Sequence, residues 1–117
     1  MSNSVIYDDK ATKRIHPIQM DKIQRIIIEL DKSHIVKRAI VFGSSVTDEC
    51  KPGSDLDLCI DINCSSRDMR LYDLTNRIQK ICEYNCDLLI YDNILDDSPI
   101  KREIDSKGVD IYVSRTS

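Results

Sequence analysis

Alternation of helical and extended stretches predicts an α/β domain in which helices pack on a mixed sheet. Three observations carry that prediction. Apolar residues recur at helical spacing in Ile23, Ile26, Ile27 and Leu30, and again in Leu71, Leu74, Ile78 and Ile81. Residues 56–62, LDLCIDI, alternate strictly, with Leu56, Leu58, Ile60 and Ile62 facing one way and Asp57, Cys59 and Asp61 the other. Pro52-Gly53, Ser98-Pro99 and Gly108 punctuate the chain where one period gives way to the next.

The elements follow in order. Residues 1–16 read as a flexible start, and residues 17–117 as a single domain. His16-Pro17 begins the first helix, with proline in the first turn, and the apolar stripe carries it to about Lys32. Ala39 to Phe42 is a short buried strand. Ser44 to about Glu49 has room for a turn or two of helix before Pro52-Gly53. The alternating strand 56–62 follows, then a helix from Asp68 to Tyr84 and a strand from Cys86 to Tyr91. Ser98 caps a helix with Pro99 at its first position, and Gly108 stops it. In the last strand Val109, Ile111 and Val113 alternate with Asp110 and Tyr112.

Composition narrows the function. A chain of 117 residues supports one core, and 41% hydrophobic with 32% charged residues suits a globular protein. No apolar run approaches the ~20 residues that span a bilayer. The first residues lack the apolar segment of a signal peptide, so the chain is expected in the cytoplasm. The five cysteines include no CxxC pair and are accompanied by two histidines, which disfavours zinc and leaves reduced, packing thiols. The net charge of −3 argues against a grip on nucleic acid through phosphate neutralisation. Negative charge is densest in residues 39–64, which hold Asp48, Glu49, Asp55, Asp57 and Asp61 against Lys51 alone. Carboxylates gathered in this way repel one another unless a cation joins them.

Asp55 and Asp57 share a strand face, ~6–7 Å apart along the backbone, a spacing that suits one or two hard divalent cations such as Mg²⁺. Asp61 lies four residues beyond Asp57, ~13 Å along the strand, too far to share an ion, and reads as a solvated or salt-bridged acid. Gly43 allows a sharp turn and a close approach to the backbone. Ser44 then starts a short helix whose free N–H groups favour an anion, besides serving as its cap. A phosphate cradle facing a metal cage suits a nucleoside triphosphate with Mg²⁺. Cys59, Tyr91 and Tyr112 read as packing residues.

Gly43-Ser44, ten residues, then Asp55-Leu56-Asp57 resembles the signature of the DNA polymerase beta-like nucleotidyltransferase superfamily, and the length resembles its minimal nucleotidyltransferase (MNT) branch. The resemblance runs from about residue 17 to "SPIKREIDSKGVDIYV". It implies that fold and a third carboxylate on a later strand, which "CDLLIYD" offers as Asp87. Asp55, Asp57 and Asp87 would then be the catalytic, metal-holding set for two Mg²⁺ ions. Gly43, Ser44, Ser45 and Lys51 would face ATP or another nucleoside triphosphate. The implied reaction is transfer of a nucleoside monophosphate, AMP above all, to a hydroxyl. So small a domain has little surface for enclosing an acceptor. The resemblance implies one on a partner protein, a helical HEPN-type toxin for which this chain is the antitoxin. Many relatives read G-S-R-A-R-G where this chain reads Gly43-Ser44-Ser45-Val46-Thr47-Asp48, without arginine. A module that neutralises its partner by contact alone, and transfer to a small molecule, therefore stay open as alternatives.

Overall fold

Residues 19–43 and 55–114 are described by the structure, a computed structural model. Helix α1 (Met20–Ser33) leads into strand β1 (Val36–Phe42). Strand β2 (Leu56–Ile62), helix α2 (Met69–Ile81), strand β3 (Cys86–Ile90), helix α3 (Pro99–Lys107) and strand β4 (Val109–Val113) follow. The four strands form one sheet in the order β3-β2-β1-β4. β1 runs antiparallel to β2 and β4, whereas β2 and β3 are parallel. The end of β1 and the starts of β2, β3 and β4 therefore meet at one end of the sheet.

Each sheet face is buried by the residues that the alternation assigns to it. Leu56, Leu58, Ile60 and Ile62 meet Ile23, Ile26, Ile27 and Leu30 of α1 and Leu71, Leu74 and Ile78 of α2 in the main core. Asp68 caps α2 by accepting a hydrogen bond from the Arg70 N–H at 2.8 Å. The opposite face carries a smaller core of Ile40, Phe42, Cys59 and Ile104, with Leu89, Tyr91 and Ile94 against it. Burial pushes the Cys59 thiol up to about 12, in keeping with an inert packing role. Helix α3 reaches this face through Ile104, its one buried residue. Truncation of Ile104 to Ala is expected to cost about 2–4 kcal/mol, read as a lower urea midpoint with an unchanged slope.

Tyr91 holds the far end of the same face. Its hydroxyl donates to Asp105 at 3.0 Å, with Lys101 Nζ 4.4 Å and Arg38 Cζ 5.3 Å from its ring centroid. Asp61 pairs with Lys37 at 3.6 Å, as its distance from the paired aspartates suggests.

Several boundaries depart from the expected ones. β1 begins at Val36 rather than Ala39, because pairing with β2 and β4 recruits the basic pair Lys37-Arg38 into the strand. α2 ends at Ile81, since Glu83 and Tyr84 adopt left-handed backbone with φ 53° and 65°. Tyr91 leaves β3 for a 3-10 turn. A register shift opposite Ala39 and Ile40 breaks the alternation of β4, so Ile111 and Tyr112 both enter the main core. Tyr112 donates to Asp31 of α1 at 3.4 Å. Gly108 ends α3 with extended backbone, and is glycine because a Cβ there would collide with the Ile104 carbonyl oxygen and Ile40 Cγ2. The expected first turn of α1 at His16-Pro17 and the short helix from Ser44 lie outside the described residues. Among the described residues no helix is long and apolar enough to cross a membrane.

Candidate active site

Asp57 and Asp87 stand side by side. They are register partners in the parallel β2–β3 ladder, so their side chains leave the same face of adjacent strands. The backbone N–H of Leu56 donates to the Asn85 carbonyl at 3.0 Å, tying the two strand starts together. Across the other ladder Asp57 faces Phe42, the last residue of β1. The face therefore carries Phe42, Asp57 and Asp87 in its first row and the apolar Ile40, Cys59 and Leu89 in the next. Asp57 is half-buried, while Asp87 is exposed.

This setting makes Asp57 hard to ionise. Burial is the largest of the causes that raise its carboxyl from 3.8 to about 6. The Asp87 charge and a hydrogen bond with the Asp87 side chain add to the rise, followed by the charges of Asp55 and Glu103. Among the described residues all five contributions act in the same direction.

Gly43 completes the site for a reason that spacing alone did not reveal. Its φ is +70°, the left-handed region, and a Cβ at this position would overlap Asp57 Oδ2. The Asp57 carboxylate thus packs directly on the bare Gly43 backbone. Of the expected carboxylates, Asp57 and Asp87 converge. Asp55 lies just before β2, exposed, and acts on Asp57 through its charge. Among the described residues no group of three His, Cys, Asp or Glu side chains is already gathered as a metal cage. Ser44, Ser45 and Lys51, the expected triphosphate contacts, lie outside the described residues. Glu103 of α3 is an addition: helical spacing places it beside the inward Ile104, but only the packing of α3 aims its charge at Asp57.

An oxygen-only set, with Asp57 resisting ionisation through burial and neighbouring negative charge, fits a hard divalent cation. A cation held there would favour the ionised Asp57 carboxylate, offsetting the burial and the neighbouring charges that raise its affinity for a proton.

The family model for polymerase beta nucleotidyltransferases matches residues 22–116. A predicted protein adenylyltransferase of Methanocaldococcus jannaschii is 30% identical over 77 residues, covering 66% of this chain and 83% of that protein. Among solved structures, the complex of a tri-AMPylated Shewanella oneidensis HEPN toxin with its MNT antitoxin superposes with a TM-score of 0.60. That match has 15% identity and covers 84% of this chain and 75% of the other. A toxin–antitoxin structure with AMP-PNP gives a TM-score of 0.58 at 13% identity, over 82% of this chain and 74% of the other. At such identities the structural matches establish the fold.

Proposed function

The chain belongs to the polymerase beta nucleotidyltransferase family, and from that premise we propose that it transfers AMP from ATP to a hydroxyl on a partner protein. The partner is of the helical HEPN type, and the chain acts as its antitoxin. The observation that carries the reading is the pairing of Asp57 with Asp87 across β2 and β3, at the sheet end where β1 turns at Gly43.

The chain's own groups divide the work. Asp57 and Asp87, joined by Asp55 from the lip of β2, would hold Mg²⁺. When bound, the metal neutralises triphosphate oxygens and acidifies the acceptor hydroxyl. Gly43, lacking a Cβ, lets the Asp57 carboxylate lie directly against the turn at the end of β1. The acceptor oxygen bonds to the α-phosphorus as the bond to the β-phosphate oxygen breaks, and pyrophosphate leaves. The exposed Asp87 carboxylate takes the acceptor's proton. Little covalent work falls to the protein, so positioning and charge supply most of the rate. Support for a protein acceptor comes from the adenylyltransferase relative and from the HEPN complexes that share this fold.

Incubation with labelled ATP, Mg²⁺ and the product of the neighbouring gene should label that product. Label that persists with an Asp55→Ala, Asp57→Ala double variant would contradict the assignment.

A further inference from the structure

Among the described residues β3 and β4 are the two edges of the sheet, and they are finished differently. β4 carries the exposed Asp110 and breaks register against β1, two features that discourage a further strand. β3 has neither. It pairs with β2 in unbroken register from Cys86 to Ile90, and Leu88, Leu89 and Ile90 are all half-buried. The Asn85 carbonyl accepts from the Leu56 N–H of β2. Alternate residues of a parallel ladder bond to the same neighbour, so Asp87 and Leu89 follow Asn85 inward while Cys86, Leu88 and Ile90 turn outward. Gln79 Nε2 donates to the Cys86 carbonyl at 2.8 Å, in agreement with that direction. The N–H and C=O of Leu88 and the N–H of Ile90 are left facing away from β2.

An apolar groove of about 430 Å³ lies beside this edge, between Ile90 and the start of α2. Met69 and Tyr72 line it at 75% and 65% exposure, and Leu71 reaches it from the core. Two charged residues stand on its rim. Asp68 is held by Arg70 at 2.7 Å, whereas Arg67 has no ion-pair partner among the described residues. The groove and the edge therefore offer apolar surface, free backbone groups and one unmatched positive charge.

We infer that an extended segment of the acceptor protein adds to the edge of β3, apolar across the groove and acidic beyond it, and so delivers its hydroxyl residue to Asp87. The occupant follows from the strand itself. Asp87 and Ile90 are three residues apart, ~10 Å, and their side chains leave opposite faces. An added strand lies ~4.8 Å from β3, so the residue opposite Asp87 stands on the face that Asp87 shares with Asp57. Its hydroxyl comes within reach of the Asp87 carboxylate. Three residues away, the side chain opposite Ile90 stands on the α2 face and enters the groove. An acid just past it meets Arg67. Main-chain bonds to Leu88 and Ile90 supply affinity, while the groove and Arg67 select the sequence. The role of the hydroxyl rests on the proposed transfer reading; the docking at β3 does not.

The probe is a capped peptide, Thr-Val-Val-Leu-Glu-Glu, made also in reversed order because a ladder forms in either direction, and added to the full chain. With one order in excess, the Leu88 and Ile90 amides, read singly by NMR hydrogen exchange, should slow at least about tenfold. Arg67 and Tyr72 are exposed, so replacing them leaves the core intact. Arg67→Glu should weaken binding about tenfold and turn the preference toward a peptide with Lys-Lys in place of Glu-Glu. Tyr72→Ala should weaken both peptides. Unchanged Leu88 and Ile90 amides with both orders, or an Arg67→Glu chain that binds every peptide as wild type does, would overturn the proposal. Protection present without peptide and lost on dilution would give the edge to a second copy and overturn it as well. Labelled ATP and Mg²⁺ separate the two claims. A docked peptide whose threonine stays unlabelled supports the docking and counts against the transfer reading. A labelled threonine with Leu88 and Ile90 unprotected does the reverse.

Discussion

Asp57→Asn should abolish transfer and at the same time make the metal-free protein more stable. The loss of transfer is expected to be on the order of a thousandfold or more, because the variant removes the better-buried half of the reactive pair. The gain follows from the carboxyl's position near 6 against an ordinary 3.8. The folded state holds this proton more tightly than the unfolded state does. The stability it contributes is complete below pH 3.8 and is lost as pH rises through about 6. Asparagine mimics the protonated form at every pH. The variant should therefore match wild type near pH 3.5 and exceed it above pH 6, by about 1 kcal/mol once solvent screening of a half-exposed group is allowed for. Thermal melts with a chelator across pH 3.5–8 measure the difference. Millimolar Mg²⁺ should raise the wild-type midpoint at pH 7.5 and leave the variant's unmoved. Equal stability at pH 7.5 in chelator would contradict the claim that burial and neighbouring charges oppose ionisation of Asp57.

Gly43→Ala should be damaging through two separable effects. Alanine is strained at a φ of +70°, and its Cβ would enter the space of Asp57 Oδ2. A loss of about 1–3 kcal/mol is expected from backbone strain and overlap together, accompanied by loss of transfer as the Asp57 carboxylate is pushed off its position. A double-mutant cycle with Asp57→Ala separates the causes. Removing the carboxylate relieves the overlap and leaves the φ strain, so the two substitutions should couple by at least about 0.5 kcal/mol. Strict additivity in urea denaturation would mean that Gly43 and Asp57 are not in contact.

The fold was legible in the sequence to the extent that local periodicity governs it. The stripe of α1, the alternation of β2 and the Ser98-Pro99 cap with Gly108 at the other end of α3 each encode one element through its own residues. Where pairing decides, local reading ran short. β1 is lengthened by two neighbouring strands, and the β4 register shift turns Tyr112 into the core that alternation denies it. The candidate site divides in the same way. Asp57 was visible from its strand and spacing, and Asp87 from the resemblance. That they are neighbours follows from the parallel β2–β3 register, which neither strand carries alone. Glu103 was missed because a charged residue on a short helix carries no sign of what it faces.

The order of residues alone therefore determined which segments are helix or strand and which carboxylates sit at strand starts, since backbone periodicity and turn chemistry act over a few residues. The tertiary structure alone decided that Asp87 lies against Asp57 and that Gly43 must lack a side chain beside it. These are distances between chain segments, and the packing of the sheet and its helices sets them.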